Sequence, residues 1–337
     1  MNDLDDEWDT FMTEPYNNSN TKHAHVDVVD TTREHKIVPI CDPITISTKT
    51  KILYLNVSID LFHRFWDLPM IDYDEHKEGI IKKQIKFNFT SKEEVETFYT
   101  FVNKEPRIKD GKGITTLNKI DSPNGRIKFK DIKKIDIGFC KNDLLKAKKN
   151  NKSAFYNCYV IIYRAFINNK YKELHIKLFN TGKIEIPGVQ NEEMVNIAVN
   201  KIKKLLQPHY TEEVCEILEK RETILINSNF SCNYYINRNK LFKILKQKYN
   251  VKCSYDPCSY PGIQCKYILD SGEISYMIFR TGSVLIVGKC ENEDLYVIYE
   301  YIKHIFHEEY YNIYENNNEL KIIKTKKIVK KIIYIEE

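Results

Sequence analysis

Apolar positions fall into a regular order only from about Ile44 onward. Residues 1–40 lack that periodicity and carry polar clusters such as Tyr16-Asn17-Asn18-Ser19-Asn20, so they read as an acidic, mostly disordered tail. From Ile44, ITISTKTKILYLNVS alternates loosely as a strand, and SIDLFHRFWDL follows as a short helix with Ser58 as its cap and Pro69 as its stop. The same strand-then-helix order returns in TILINSNFSCNYYI and NRNKLFKILKQKY, with Leu61-Phe62 and Leu241-Phe242 in like places. Two longer helices each show one apolar stripe: Met194, Ile197, Ala198, Ile202 and Leu205 behind a cap at Asn191, and Leu295, Ile298, Tyr299, Ile302 and Ile305. A hairpin precedes each, turning at Asn168-Asn169 and at Asp270-Ser271-Gly272.

One phrase is written twice. FNTGKIEIPG, Phe179 to Gly188, returns as FRTGSVLIVG, Phe279 to Gly288, an offset of one hundred residues. Each copy belongs to a unit of strand, helix, antiparallel strands and helix, which predicts an α+β fold of two pseudo-symmetric repeats. Their strands are expected to form one curved antiparallel sheet, with helices on one face and the other left open. The boundaries follow: a tail over 1–40, repeat one over 41–210, repeat two over 211–312, and a basic extension over 313–337. Repeat one is longer through an insertion at about 80–152, which holds a helix begun by Ser91 and Glu94 as a capping box. GIIKKQIKF and NCYVIIYRAF compete for one strand of this repeat; the second joins directly to the strand carrying Phe179 and is preferred.

Composition narrows the function. Of 337 residues, 42% are hydrophobic, enough for one large core or two ordinary ones. The nine cysteines include no C-x-x-C pair, and no apolar run reaches the roughly 18 residues of a membrane span, so a reducing intracellular compartment is expected. A net charge of +5 is weak evidence of nucleic-acid binding, because a chain rich in Lys, Asn, Ile and Tyr together is what AT-rich coding DNA produces. The local contrast says more: the N-terminus is acidic, while 125–152 and 320–337 are strongly basic. Cys253, Cys258 and Cys265, with His304 and His307 later, match no common zinc spacing. Phosphate-binding glycine loops and nucleophile elbows are missing, so neither an enzyme, a metal nor a cofactor is expected.

These residues resemble the TATA-box-binding protein family, and most of all the divergent members encoded by large DNA viruses. The repeated Phe-x-Thr-Gly phrases are similar to the family's repeated segment, and Tyr255-Asp256-Pro257-Cys258-Ser259-Tyr260-Pro261-Gly262 is similar to its second stirrup. Ile226-Asn227-Ser228-Asn229-Phe230-Ser231-Cys232 is similar to its opening strand. The resemblance covers about 44–66 and 153–310 and implies a saddle whose aromatic wedges unstack base steps in the minor groove. By position those wedges are Phe279, Tyr260 and Phe179, with Phe155 or Tyr156 as the fourth. Asn227 stands for one of two groove-reading asparagines, with Thr48 or Ser47 opposite it, and Leu285 keeps an apolar groove contact. Arg164, Lys183 and Lys266 stand where phosphate is touched. Two departures, Glu185 and Pro187 against Leu285 and Val287, weaken repeat one as a DNA surface.

The resemblance implies a transcription initiation factor that engages double-stranded, AT-rich promoter DNA and helps recruit a viral RNA polymerase or a transcription factor IIB-like protein. The alternative is a scaffold of the same fold with weak or lost DNA binding. Neither a membrane nor a small-molecule substrate is implied, and the expected place of action is a cytoplasmic virus factory, the nucleus or the virion.

Overall fold

The computed structural model describes residues 37–109, 111–145, 157–270 and 272–316. Most of the acidic tail, Phe155, Tyr156 and nearly all of the basic C-terminal extension lie outside the described residues. The chain divides into two compact units, one of Ile46–Ile226 and one of Asn227–Asn318 together with the segment before Ile46.

The first unit runs β1 (Thr45–Tyr54), α1 (Leu61–Asp67), β2 (Gly79–Phe89), α2 (Lys92–Val102), β3 (Ile114–Asp121), β4 (Phe129–Gly138), α3 (Lys141–Leu145), β5 (Cys158–Ile167), β6 (Lys170–Phe179), β7 (Lys183–Val189) and α4 (Glu192–Leu206). Its strands lie in the order β3-β4-β2-β5-β6-β7-β1, and the ladders between them are antiparallel. Every second residue of β6 and β7, Leu174, Ile176, Leu178, Ile184 and Ile186, packs beneath α4. The stripe on α4 is turned slightly from the expected one. Val195, Val199 and Leu206 are buried with Met194, Ala198 and Ile202, while Ile197 and Leu205 sit at its margin. Each fully buried aliphatic side chain of this kind contributes about 1.5–3 kcal/mol.

Both competing strands form. GIIKKQIKF is β2 and pairs antiparallel with β5, so the insertion widens the sheet by β2, β4 and β3 instead of looping away from it. Asp60, not Ser58, caps α1, accepting from the His63 amide. Ser91 caps α2, but the Glu94 carboxylate accepts from the amide and hydroxyl of Thr90 instead of closing on Ser91. Beneath the C-terminus of α1, the buried Lys83 ammonium donates to the carbonyls of Phe65 and Leu68, two of the helix's orphan acceptors. Burial lowers its pKa to about 8.

The second unit repeats the plan in shorter form: β8 (Glu222–Ser231, begun in the first unit), α5 (Arg238–Gln247), β9 (Lys252–Ser254), β10 (Ile263–Leu269), β11 (Gly272–Ile278), β12 (Ser283–Gly288), α6 (Asn292–Glu308) and α7 (Tyr310–Ile313). The strand order is β8-β12-β11-β10-β9. Leu295, Ile298, Tyr299, Ile302 and Ile305 of α6 are buried as the periodicity predicts, joined by Phe306. Among the described residues no helix is long and apolar enough to cross a membrane.

Candidate nucleic-acid interface

The two copies of the phrase do the same structural work. Phe179 and Phe279 each accept, through the carbonyl, from the amide of the glycine three residues on, at 3.1 and 3.0 Å. Gly182 and Gly282 stand at φ +79° and +83°, and a Cβ on either would meet the carbonyl oxygen of Val57 or Tyr234 at 2.3 or 2.4 Å. Only glycine fits such a left-handed turn pressed against backbone. The amides of Leu55 and Cys232 donate to the Gly182 and Gly282 carbonyls, and those of Ile59 and Ile236 to the carbonyls of Asn180 and Arg280. Asp60 and Asn237 then cap α1 and α5 alike.

These bonds set the equivalence of the copies and correct two positions. Leu241-Phe242 correspond to Arg64-Phe65, one turn beyond Leu61-Phe62. Counting back from Leu55 and Cys232, the counterpart of Asn227 is Thr50, not Thr48 or Ser47; both are buried polar residues, at 4% and 9% exposure.

In the second unit the helix-packed face is marked by Phe230 against Tyr299 and Tyr267 against Tyr301. Alternation sends Gln264, Lys266, Met277, Leu285, Val287, Asn227 and Asn229 to the other face. Register sets Gln264 beside Met277 beside Leu285, and Lys266 beside Ser275 beside Val287. The Lys266 ammonium rests on the Ser275 hydroxyl at 2.7 Å. Cys253 and Cys265 pair in register between β9 and β10 on the helix side, and Cys258 is exposed in the turn beyond.

At the end of this face stands an aromatic pair. Tyr260 and Phe279 meet edge to face at 6.1 Å. A Cβ at Gly262 would strike both rings, at 2.9 and 3.0 Å. The turn holding Tyr260 is pinned from within: Asp256 accepts from the Cys258 amide at 3.0 Å and from the Ser259 hydroxyl, and its carbonyl takes the Tyr260 amide at 2.9 Å. Arg238 donates to the Pro261 carbonyl and lies 5.4 Å over the Tyr255 ring. Burial raises the Tyr260 pKa well above the usual phenol range, so the ring stays neutral. Phe279 is 3% exposed, so it reaches a base step only if this pair opens.

The matching face of the first unit is built differently. Lys177 and Glu185, opposite each other between β6 and β7, form an ion pair at 2.8 Å where the second unit has Met277 and Leu285. The carboxylate that reads as repulsive to DNA is therefore neutralised at its source. Lys183 lies 5.1 Å over the Phe179 ring. Arg164 is 8% exposed, and its guanidinium donates at 2.6 Å to the carbonyls of Tyr73 and Glu75. The 71–78 loop thus holds it away from any phosphate. Register also shows Ile162, beside His175, to be the counterpart of Lys266. Phe155 lies outside the described residues.

Sequence reasoning missed Lys177, although counting back across the turn at Gly182 would have found it opposite Glu185. Asn229 was also missed; its side-chain oxygen accepts from the Thr45 hydroxyl at 3.1 Å. Among the described residues no cluster of three or more His, Cys, Asp or Glu side chains could hold a metal ion.

Residues 225–308 match the family model described as transcription factor TFIID (or TATA-binding protein, TBP). A TATA-box-binding protein-like chain of Acanthamoeba polyphaga mimivirus is 26% identical over 164 residues, 42% of this chain and 45% of that protein. A TATA-box-binding protein of Methanococcus aeolicus is 25% identical over 126 residues, 37% of this chain and 64% of that protein. The chain thus spans roughly half to two thirds of the length of these curated relatives. The solved structure of Methanococcus jannaschii TBP aligns at 16% identity and a TM-score of 0.42, covering 79% of this chain and 99% of that one.

Proposed function

We propose that the chain is a member of the TATA-box-binding protein family, on the match of its segment 225–308, and that it is a transcription initiation factor that binds promoter DNA through the minor groove. The observation that carries the reading is the second unit's helix-free face, where Leu285, Val287 and Met277 lie beside Asn227 and Asn229 and the Tyr260–Phe279 pair closes one end. Such a face suits the minor groove. Apolar side chains lie along its floor, amides meet its acceptors, and aromatic wedges unstack a base step at a few kcal/mol, offset by the extra surface the bent duplex wraps. Likeness to a TATA-box-binding protein-like chain of mimivirus supports a viral promoter as the target, and the same proposal takes a viral RNA polymerase or a transcription factor IIB-like protein as the partner it recruits. On this reading the protein performs no catalysis.

One observation favours a scaffold with weak DNA contact instead: the first unit puts an ion pair and a tethered guanidinium where the second has apolar groups and an exposed lysine. Fluorescence titration of the full chain with AT-rich and GC-rich duplexes across a salt series separates the two. The proposed function requires tighter binding to the AT-rich duplex, with affinity falling linearly in log salt. Equal and weak binding to both, with retained capture of RNA polymerase, refutes it in favour of the scaffold.

A further inference from the structure

Two thiols face each other at the edge of the second unit's sheet. β9 and β10 pair antiparallel, and their register sets Cys253 directly opposite Cys265, with Tyr276 of β11 next in the same row. Residues so placed have Cα atoms about 4.5 or 5.5 Å apart, according to the type of pair. Either spacing lies within the roughly 4.4–6.8 Å that a disulfide spans. A bond here would close the stem of the 255–262 turn, which Asp256 and Arg238 hold from within and which brings Tyr260 against Phe279. That stem rests on β9, an edge strand of three residues.

The two members differ in reach and in acidity. Cys253 is partly exposed on the edge strand, whereas Cys265 is buried. A hydrogen bond from the Cys265 thiol lowers the Cys253 pKa, against the opposing effect of burial, and the Lys246 ammonium of α5 lowers it further. The same hydrogen bond, together with burial, raises the pKa of Cys265. Burial also pushes up the thiols of Cys41, Cys140, Cys158 and Cys232. A partly exposed thiol near a cation is the reactive form of cysteine. Cys253 is thus the thiol to be oxidised first, and Cys265 the one to complete the bond.

We propose that Cys253 and Cys265 form a reversible dithiol–disulfide site, oxidised by hydrogen peroxide, that staples the stem of the turn presenting Tyr260. The Cys253 thiolate attacks one peroxide oxygen and the O–O bond breaks, leaving Cys253 as the sulfenic acid; the hydroxide released takes up the proton that Cys253 gave up and becomes water. The Cys265 sulfur then attacks the sulfenic sulfur. The S–OH bond breaks, the S–S bond forms, and the Cys265 proton leaves with the hydroxyl as a second water. Two electrons pass from the thiols to the peroxide, and an added dithiol returns them through a mixed disulfide. To test the site, the full chain is treated with near-stoichiometric hydrogen peroxide, remaining thiols are alkylated, and unreduced peptides are mapped by mass spectrometry, with amide hydrogen exchange followed on the same samples. A peptide linked through Cys253 and Cys265 should appear before Cys41, Cys140, Cys158 or Cys232 is modified. Exchange over 252–254 should slow, and dithiothreitol should reverse both changes. Cys258→Ser should keep the bond, Cys253→Ser should abolish it, and Cys265→Ala should leave Cys253 to be trapped by dimedone as the sulfenic acid. Linkage through Cys258 or between two chains, or oxidation of Cys253 with Cys265 still open to alkylation, overturns the site. A Cys253–Cys265 bond that leaves exchange over 252–254 unchanged overturns the staple.

Discussion

Replacing Glu185 by leucine while leaving Lys177 in place removes the carboxylate from a cation that is only 10% exposed at its side chain, Glu185 itself being 17% exposed. At 2.8 Å, and with an effective dielectric constant of about 20, the attraction is ~6 kcal/mol. Most of that is offset by taking two ions out of water, so exchange of the whole pair for well-packed apolar groups is neutral or stabilising by about 1–4 kcal/mol. Breaking the pair is different, because one buried charge loses the opposite charge at 2.8 Å, at a cost of about 3–5 kcal/mol. Glu185→Leu and Lys177→Met should each destabilise the first unit by roughly 3 kcal/mol. The double variant, which copies the Met277–Leu285 pair of the second unit, should match the native protein or exceed it. Urea unfolding followed by Trp66, packed in this unit against Phe98 and Phe101, measures all three. The double variant should also bind an AT-rich duplex more tightly. Glu185→Leu alone within about 0.5 kcal/mol of native stability would refute the argument, since the two charges would then not be coupled.

Phe279→Ala and Tyr260→Ala should each weaken binding to an AT-rich duplex by at least about 1 kcal/mol more than Phe179→Ala does, because the latter ring already lies under Lys183; equal losses in a fluorescence titration would remove the asymmetry between the repeats. Gly282→Ala should cost more than ~1 kcal/mol in chemical denaturation, and Gly111→Ala less, because both have positive φ but only the first has backbone in the way of a Cβ. Lys83 has a folded pKa lowered to about 8 from 10.5, so between those values the unfolded chain binds more protons than the folded one. Relative to Lys83→Met, native stability should therefore rise by ~3 kcal/mol as pH goes from about 8 to 10.5. A flat difference across that window would show that the Lys83 ammonium is solvated in the fold and keeps its ordinary pKa.

The duplicated plan was legible because its signals are local. A glycine needed at positive φ, a capping Asn191 and an apolar stripe each declare themselves within a few residues, and Phe-x-Thr-Gly does so twice. What stayed hidden depends on partners distant in sequence. FKDIKKIDIG reads as a solvated basic run, yet it is β4, because Asp131 and Lys133 are buried against each other and their charges disguise a core-facing alternation. Arg164 has the right type and strand for a phosphate contact, and only the return of the 71–78 loop over β5 shows that both its terminal nitrogens donate to the carbonyls of Tyr73 and Glu75. Ser58 and Asp60 are equally good caps by type; the bond from Ile59 to Asn180, which ties the chain to the repeated turn, puts the helix start at Asp60.

The unequal repeats follow from where the extra chain was added. In the second unit eight residues, 255–262, join the short β9 to β10, and they are spent on presenting Tyr260. In the first unit the corresponding strand, β2, is eleven residues long and lies between β4 and β5, and its path to β5 carries α2, β3, β4 and α3. β2 pairs with β5 from Gly79 to Ile85, and the 71–78 loop before it folds back and binds Arg164. The same addition that turns the Arg164 guanidinium onto the Tyr73 and Glu75 carbonyls sets Lys86 opposite Lys134 in the widened sheet.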